Sequence, residues 1–218
     1  MQTVSATQMQ QYDQMTQDVI GMSHEVLTER AALAVLDVVA TRGYDLSNVL
    51  VLAGLGGNGA DGVAIARLLY LKGINVSLQF VGNVSKAKPA VQKQLAIATA
   101  YGLKRSEQSD FNEATLIIDA IFGTGLNNRL PDGLQKMIKA ANYIQKPVVA
   151  VDVPTGIDAT TGAAHGVALN ADVTVTFSYV KTGLQQGVGQ KVAGKVVVKD
   201  IGVYAPDLLT AKELTSEA

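Results

Sequence analysis

The chain has 218 residues, enough for one domain with a full core. Hydrophobic residues make up 48% and charged residues 17%, which excludes a disordered chain. The net charge of -1 gives no global attraction to nucleic acid or membrane, the lack of cysteine excludes disulfides and thiolate metal centres, and two histidines are too few for a histidine-rich zinc site.

Met1 to Gln8 has no basic region leading into an apolar run, so it does not read as a signal peptide. No apolar stretch is long enough to span a bilayer. A soluble cytoplasmic protein is the expectation, without nucleic acid or membrane as partner.

In chain order, helical and strand patterns alternate. The first twenty residues, with Met9, Tyr12, Met15, Val19 and Ile20, read as a helix on the edge of the fold. Ser23 to Arg42 reads as a helix that stops at Gly43. Asn48 to Ala53 is a continuous apolar run, as in a strand buried on both faces. A helix from about Gly59 to Gly73 follows, then a strand at Ile74 to Val81 and a helix at Lys88 to Tyr101. Thr115 to Asp119 reads as a strand, Leu134 to Ile144 as a helix and Val148 to Asp152 as a strand. Val-Thr-Val-Thr-Phe after Asp172, and the run from Lys195, read as late strands of the same sheet. Residues after Pro206 read as a short helix or tail. The order predicts a single α/β domain over 1–218: a three-layer αβα, Rossmann-like fold with a mostly parallel central sheet flanked by helices.

In such a sheet, ligands collect at the carboxyl ends of the strands. Three predicted strands run into loops rich in glycine or threonine, and each offers an acid: Asp61 after Gly54, Asp119 before Gly123, and Asp152 before Thr155. Gly54, Gly56 and Gly59 also fit the dinucleotide pattern G-x-G-x-x-G. That pattern wants an acid about 20 residues on, for the ribose hydroxyls. No Asp or Glu occurs from Val63 to Ser106, which counts against an ordinary NAD-dependent oxidoreductase. The same span carries Arg67, Lys72, Lys86, Lys88, Lys93, Lys104 and Arg105, read as solvated helix faces or as a basic rim for a phosphorylated ligand. Asn58, Asp119 and Thr155 offer oxygen donors, which suit hard cations.

These motifs together resemble the NAD(P)H-hydrate epimerases, whose fold is also called the YjeF N-terminal domain. Glu29-Arg30-Ala31 resembles that family's Glu-Arg-Ala signature. Gly54 to Gly62 resembles its G-P-G-N-N-G-G-D-G loop, and Asp119 to Leu126 its D-A-L-F-G-T-G-L. Asp152 to Asp158 resembles its D-I-P-S-G-hydrophobic-D, and Lys181-Thr-Gly-Leu with Asp200-Ile-Gly its closing pattern. Leu55, Gly57, Ala60, Thr155 and Thr182 depart from those motifs.

The resemblance implies interconversion of the R and S forms of NADHX and NADPHX, the hydrated nicotinamide cofactors, in nucleotide repair. A separate ADP- or ATP-dependent dehydratase, not fused to this chain, would consume the S form. Asn58, Asp119 and Thr155 would hold a potassium ion. Gly57, Asn58, Gly59, Ala60 and Asp61, with Gly123, Thr124, Gly125, Leu126, Asn127, Asn128, Arg129 and Asp152, would contact substrate. Asp152 would be the acid and base, with Lys181 neutralising a phosphate or steering a proton. A homodimer formed through the apolar N-terminal helices is expected. The alternative is a non-catalytic nucleotide- or RNA-binding or dimerisation module of the same fold.

Overall fold

The computed structural model describes residues 3–107 and 111–205. The predicted helix or tail after Pro206 lies outside them.

The main sheet has seven strands, all parallel, in the order β4-β3-β2-β5-β6-β7-β9. They are β2 (Val49–Ala53), β3 (Val76–Phe80), β4 (Arg105–Ser106), β5 (Leu116–Ala120), β6 (Val148–Val151), β7 (Val173–Phe177) and β9 (Lys195–Lys199). The strands β2, β5, β6 and β7 are buried along their whole length, because helices cover both faces. The helices are α1 (Ala6–Asp18), α2 (His24–Ala40), α3 (Gly57–Leu71), α4 (Pro89–Ala100), α5 (Asp132–Ile144) and the short α6 (Gly187–Val192). Side chains alternate across the sheet. Val49, Val51 and Ala53 pack with α1, α2, α3 and α4, while Leu50 and Leu52 pack with Leu134 and Ile138 of α5. The expected three-layer αβα architecture is therefore present.

The chain leaves β2 toward β3 and β4, then returns to β5 on the other side of β2. That reversal opens a crevice at the carboxyl ends of β2 and β5, where ligands of such folds bind.

Two boundaries differ from the sequence reading. The Gly-rich segment is mostly helix: α3 starts at Gly57, and only Gly54 to Gly56 remain as loop. The first residues are more than an edge helix. Thr3 and Val4 form β1, which pairs in parallel with β8 (Val180–Lys181), matching Val4 with Lys181. Ser5 then caps α1 through a capping box with Gln8. The pairing and the cap fix α1 over the end of the main sheet.

Candidate active site

The crevice is a cleft of about 540 Å³ at the ends of β2, β5 and β6. Its walls come from α1, α2, the start of α3, the segment after β3 and the loop after β5.

Glycines give the first wall its shape. A Cβ at Gly54 would stand 1.9 Å from the Ile121 carbonyl oxygen, and one at Gly59 would stand 2.0 Å from the Gly54 carbonyl oxygen. These two glycines bring strand, loop and helix together. Gly56 meets nothing within 4 Å, so its backbone is free to approach a ligand. No side chain caps α3 at Gly56, which leaves its first N–H groups for an anion or water.

The second and third loops are tied together by buried hydrogen bonds. Asp119 accepts from Thr155 Oγ1 at 2.6 Å, Thr155 N at 2.7 Å and Ile121 N at 3.3 Å. Thr155 Oγ1 in turn accepts from Phe122 N at 3.1 Å. Asp119 and Thr155 are both fully buried. Burial pushes the Asp119 carboxyl up to about 6, against the pull of its hydrogen bonds.

Asp152 follows β6 with φ at 67°, a left-handed backbone that Asp tolerates better than most residues. The turn aims its carboxylate into the cleft. Lys181 Nζ lies 2.6 Å from Asp152 Oδ1, and Thr176 Oγ1 donates to the same oxygen at 3.1 Å. Lys181 is fully buried and also donates to the Phe177 carbonyl at 2.9 Å. The other oxygen, Oδ2, is not tied up in this way. A Cβ at Gly123 would stand 3.2 Å from Asp152 Oδ2 and 3.3 Å from Asn58 Oδ1, so both side chains meet over that bare backbone. The Asn58 amide nitrogen is buried without a hydrogen-bond partner among the described residues, a capacity suited to a ligand oxygen.

Gly57, Asn58, Asp61, Gly123, Thr124, Gly125, Asp152 and Lys181 line the cleft, as the sequence suggests. The remaining residues do not. Gly59 and Ala60 are buried in the packing of α3, and Leu126 is buried in the core beside α5. Asn127, Asn128 and Arg129 are exposed and lie outside the cleft lining. Asp119 and Thr155 sit behind the lining rather than in it.

Two contributions escape the sequence reading, those of α1 and α2, while the third, Lys86 and Lys88, is among the residues of the basic rim. Met9, Asp13 and Gln17 of α1 line the cleft. Their spacing of four residues places them on one helix face, and that spacing was the only available signal. Burial pushes the Asp13 carboxyl up to about 6, Asp152 adds to the rise and Lys181 opposes it. His24 and Thr28 of α2 also line the cleft, with Nδ1 and Oγ1 3.1 Å apart. Burial, then Asp152, raises the Asp61 carboxyl well above its ordinary value, against the pull of the Thr28 hydroxyl. Lys86 and Lys88 stand on the wall beyond β3.

The profile described as YjeF-related protein N-terminus matches residues 24–183. The chain belongs to this family. A protein from Leuconostoc mesenteroides subsp. mesenteroides is 68% identical over 94% of this chain and 92% of its own length, and is named NAD(P)H-hydrate epimerase. Proteins with the same name from Weissella koreensis and Limosilactobacillus fermentum are 52% and 45% identical, each over 93% of this chain and over 92% and 99% of their own lengths. The crystal structure of yeast ynu0, YNL200c, superposes with a TM-score of 0.77 at 23% identity, covering 94% of this chain and 90% of that one, which is a likeness of fold.

Two motifs of this YjeF-related domain serve packing. Glu29 of α2 pairs with Arg67 of α3, which is nearly buried. Arg30 lies against Gly202, where a Cβ would stand 2.5 Å from its guanidinium. Glu29, Arg30, Asp200 and Gly202 stand outside the cleft lining, while Ile201 is part of it.

Proposed function

We propose that this chain epimerises the R and S forms of NADHX and NADPHX, as an isomerase of nicotinamide nucleotide repair. The observation that carries this reading is the 68% identity to a protein named NAD(P)H-hydrate epimerase, over nearly the full length of both chains. The cleft supplies fitting chemistry.

The carbon that inverts carries a hydroxyl and the ring nitrogen. It is a hemiaminal, so inversion needs no carbanion. Protonating the hydroxyl lets it leave as water and forms an iminium. Water then adds to the opposite face and gives up its proton, so atoms and charge balance. The nitrogen lone pair is conjugated with the carboxamide and pushes weakly, so a positioned acid matters.

Asp152 is the group first expected to give and take that proton. Its Oδ1 is held in an ion pair with Lys181, which fits it better to face the cationic iminium and to accept the proton of the adding water. Asp13, raised by burial in the same cleft, fits the donor role. Lys181 then holds Asp152 rather than a phosphate. The unpartnered Asn58 amide nitrogen and the uncapped start of α3 suit the phosphate-bearing part of the dinucleotide.

A potassium ion fits the oxygen donors around the Ile121–Gly123 turn. Asn58 Oδ1, Asp119 and Thr155 would hold it, and it would offset the cost of burying Asp119 as a carboxylate. When bound, the ion would supply a fixed positive charge that orients the pyrophosphate. Equal melting temperatures in potassium and in tetramethylammonium chloride would remove it from the site. Homodimerisation would use the exposed Val19, Ile20, Val26 and Leu33, and sedimentation would read it. No helix among the described residues is long and apolar enough to cross a membrane.

The test is a coupled assay. Purified protein is added to R-enriched NADHX with an S-specific dehydratase and its nucleotide. Faster recovery of NADH absorbance is expected. No acceleration would sink the proposal and leave the binding-module alternative.

A further inference from the structure

The charges of the cleft are separated. Asp13, Asp61, Asp152 and Lys181 occupy one region, while Lys86 and Lys88 project from the segment that follows β3. That segment is held in place by its backbone. Val81 N donates to the Ala53 carbonyl at 2.8 Å, so β3 ends beside β2. Gly82 turns the chain at φ +113°. Asn83 accepts from Ser85 N at 3.0 Å and closes a short 3-10 turn over Val84–Lys86. Lys88 N donates to the Leu55 carbonyl at 2.9 Å, which fastens the segment beside the free backbone of Gly56.

Both lysines are exposed, and neither has a carboxylate partner among the described residues. Lys93 and Lys199, by contrast, are paired with Glu25 and Asp37. Lys88 also precedes the first turn of α4, which contains no acid, and a cation is disfavoured at that end of a helix. Two unneutralised cations held at a cleft wall make an anion subsite.

The topology says which anion. In sheets of this strand order, the end of the second strand meets the ribose of the adenosine half of a dinucleotide. An acid there reads a free 2′-hydroxyl, and a basic group accommodates a 2′-phosphate. Here β3 is that strand, and its end carries two lysines where no Asp or Glu occurs from Val63 to Ser106. We infer that Lys86 and Lys88 form a subsite for the 2′-phosphate of the substrate, which makes NADPHX favoured over NADHX. The substrate names rest on the function proposed above, but the phosphate subsite can be tested without turnover.

Calorimetric titration with 2′,5′-ADP and with 5′-AMP reads the subsite directly. The protein should bind 2′,5′-ADP about tenfold more tightly or better, and added salt should reduce that ratio. A Lys86→Gln/Lys88→Gln double variant should lose most of the preference, and Lys86→Arg/Lys88→Arg should keep it. The ratio of kcat/KM for NADPHX over NADHX should fall by a similar factor in the glutamine variant. Equal affinity of the wild-type protein for the two nucleotides would overturn the inference, as would an unchanged ratio in the glutamine variant. If the lysines select 2′,5′-ADP while the protein fails the coupled assay, the epimerase reading falls and the subsite stands. If it epimerises both substrates without preference and binds both nucleotides equally, the subsite falls and the epimerase reading stands.

Discussion

Asp152 and Lys181 show how much one residue pair can be asked to do. The lysine is fully buried, and its ammonium is matched by the Asp152 carboxylate at 2.6 Å and the Phe177 carbonyl at 2.9 Å. Removing one partner of a buried pair costs about 3–5 kcal/mol, because the other charge is left unmatched. Lys181→Met should therefore lower unfolding free energy in urea by about 3 kcal/mol, and a loss below about 0.5 kcal/mol would show that the pair is solvated after all. Asp152 and Lys181 were both legible as candidates, because Asp152 follows an apolar strand and precedes a Pro-Thr-Gly turn, and Lys181 falls in a family motif. Their partnership was not, since they are joined only by the neighbouring strands that fold them together. Asp13 was missed for a related reason. An acid on a polar, Gln-rich helix reads as solvated, and only the packing of α1 over the sheet end turns Asp13 inward.

The glycine-rich element illustrates the competition between local preference and packing. Each glycine inside a helix costs about 1 kcal/mol relative to alanine, so propensity favours a later helix start, which the sequence reading puts at about Gly59. The structure begins the helix at Gly57 instead, because Gly59 and Gly62 let α3 sit directly on β2 and β5. A Cβ at Gly62 would stand 2.6 Å from the Ala120 Cβ. Space therefore separates glycines that look alike in sequence. Gly54→Ala would drive a methyl into the Ile121 carbonyl and should prevent folding or cost more than about 3 kcal/mol. Gly57→Ala has only the His24 ring 4.0 Å away and should melt at or slightly above the wild-type temperature. Similar melting temperatures for the two variants would refute this division of roles. The alternation of elements was readable from hydrophobic period and terminal glycines. The strand order was not, because every strand is an apolar run that could occupy several positions in a parallel sheet.

At the scale of the molecule, the order of strands brings acids from α1, α3 and the end of β6 around one volume. Their charges then act on one another. Asp13 is raised to about 6 by burial and by Asp152, against the pull of Lys181. Protonated Asp13 is the proposed donor, and that form is full below its folded value and lost as pH rises through it. The kcat/KM of epimerisation should therefore fall with rising pH through about 6, measured with the dehydratase in excess and corrected for the spontaneous reaction. Neighbouring charges should move that limb in opposite directions. Asp152→Asn removes a repelling charge and should shift the residual activity's falling limb to lower pH. Lys181→Met removes an attracting one and should shift it to higher pH. Asp61 is also raised, by burial and then by the charges of Asp152 and Asp13, so Asp13 and Asp61 titrate as a pair and the limb belongs to both rather than to one residue. Asp13→Asn separates the contributions. Loss of the limb near 6 together with most of the rate would identify Asp13 as donor, whereas an unchanged limb would assign it to Asp61 and leave α1 only the task of closing the cleft.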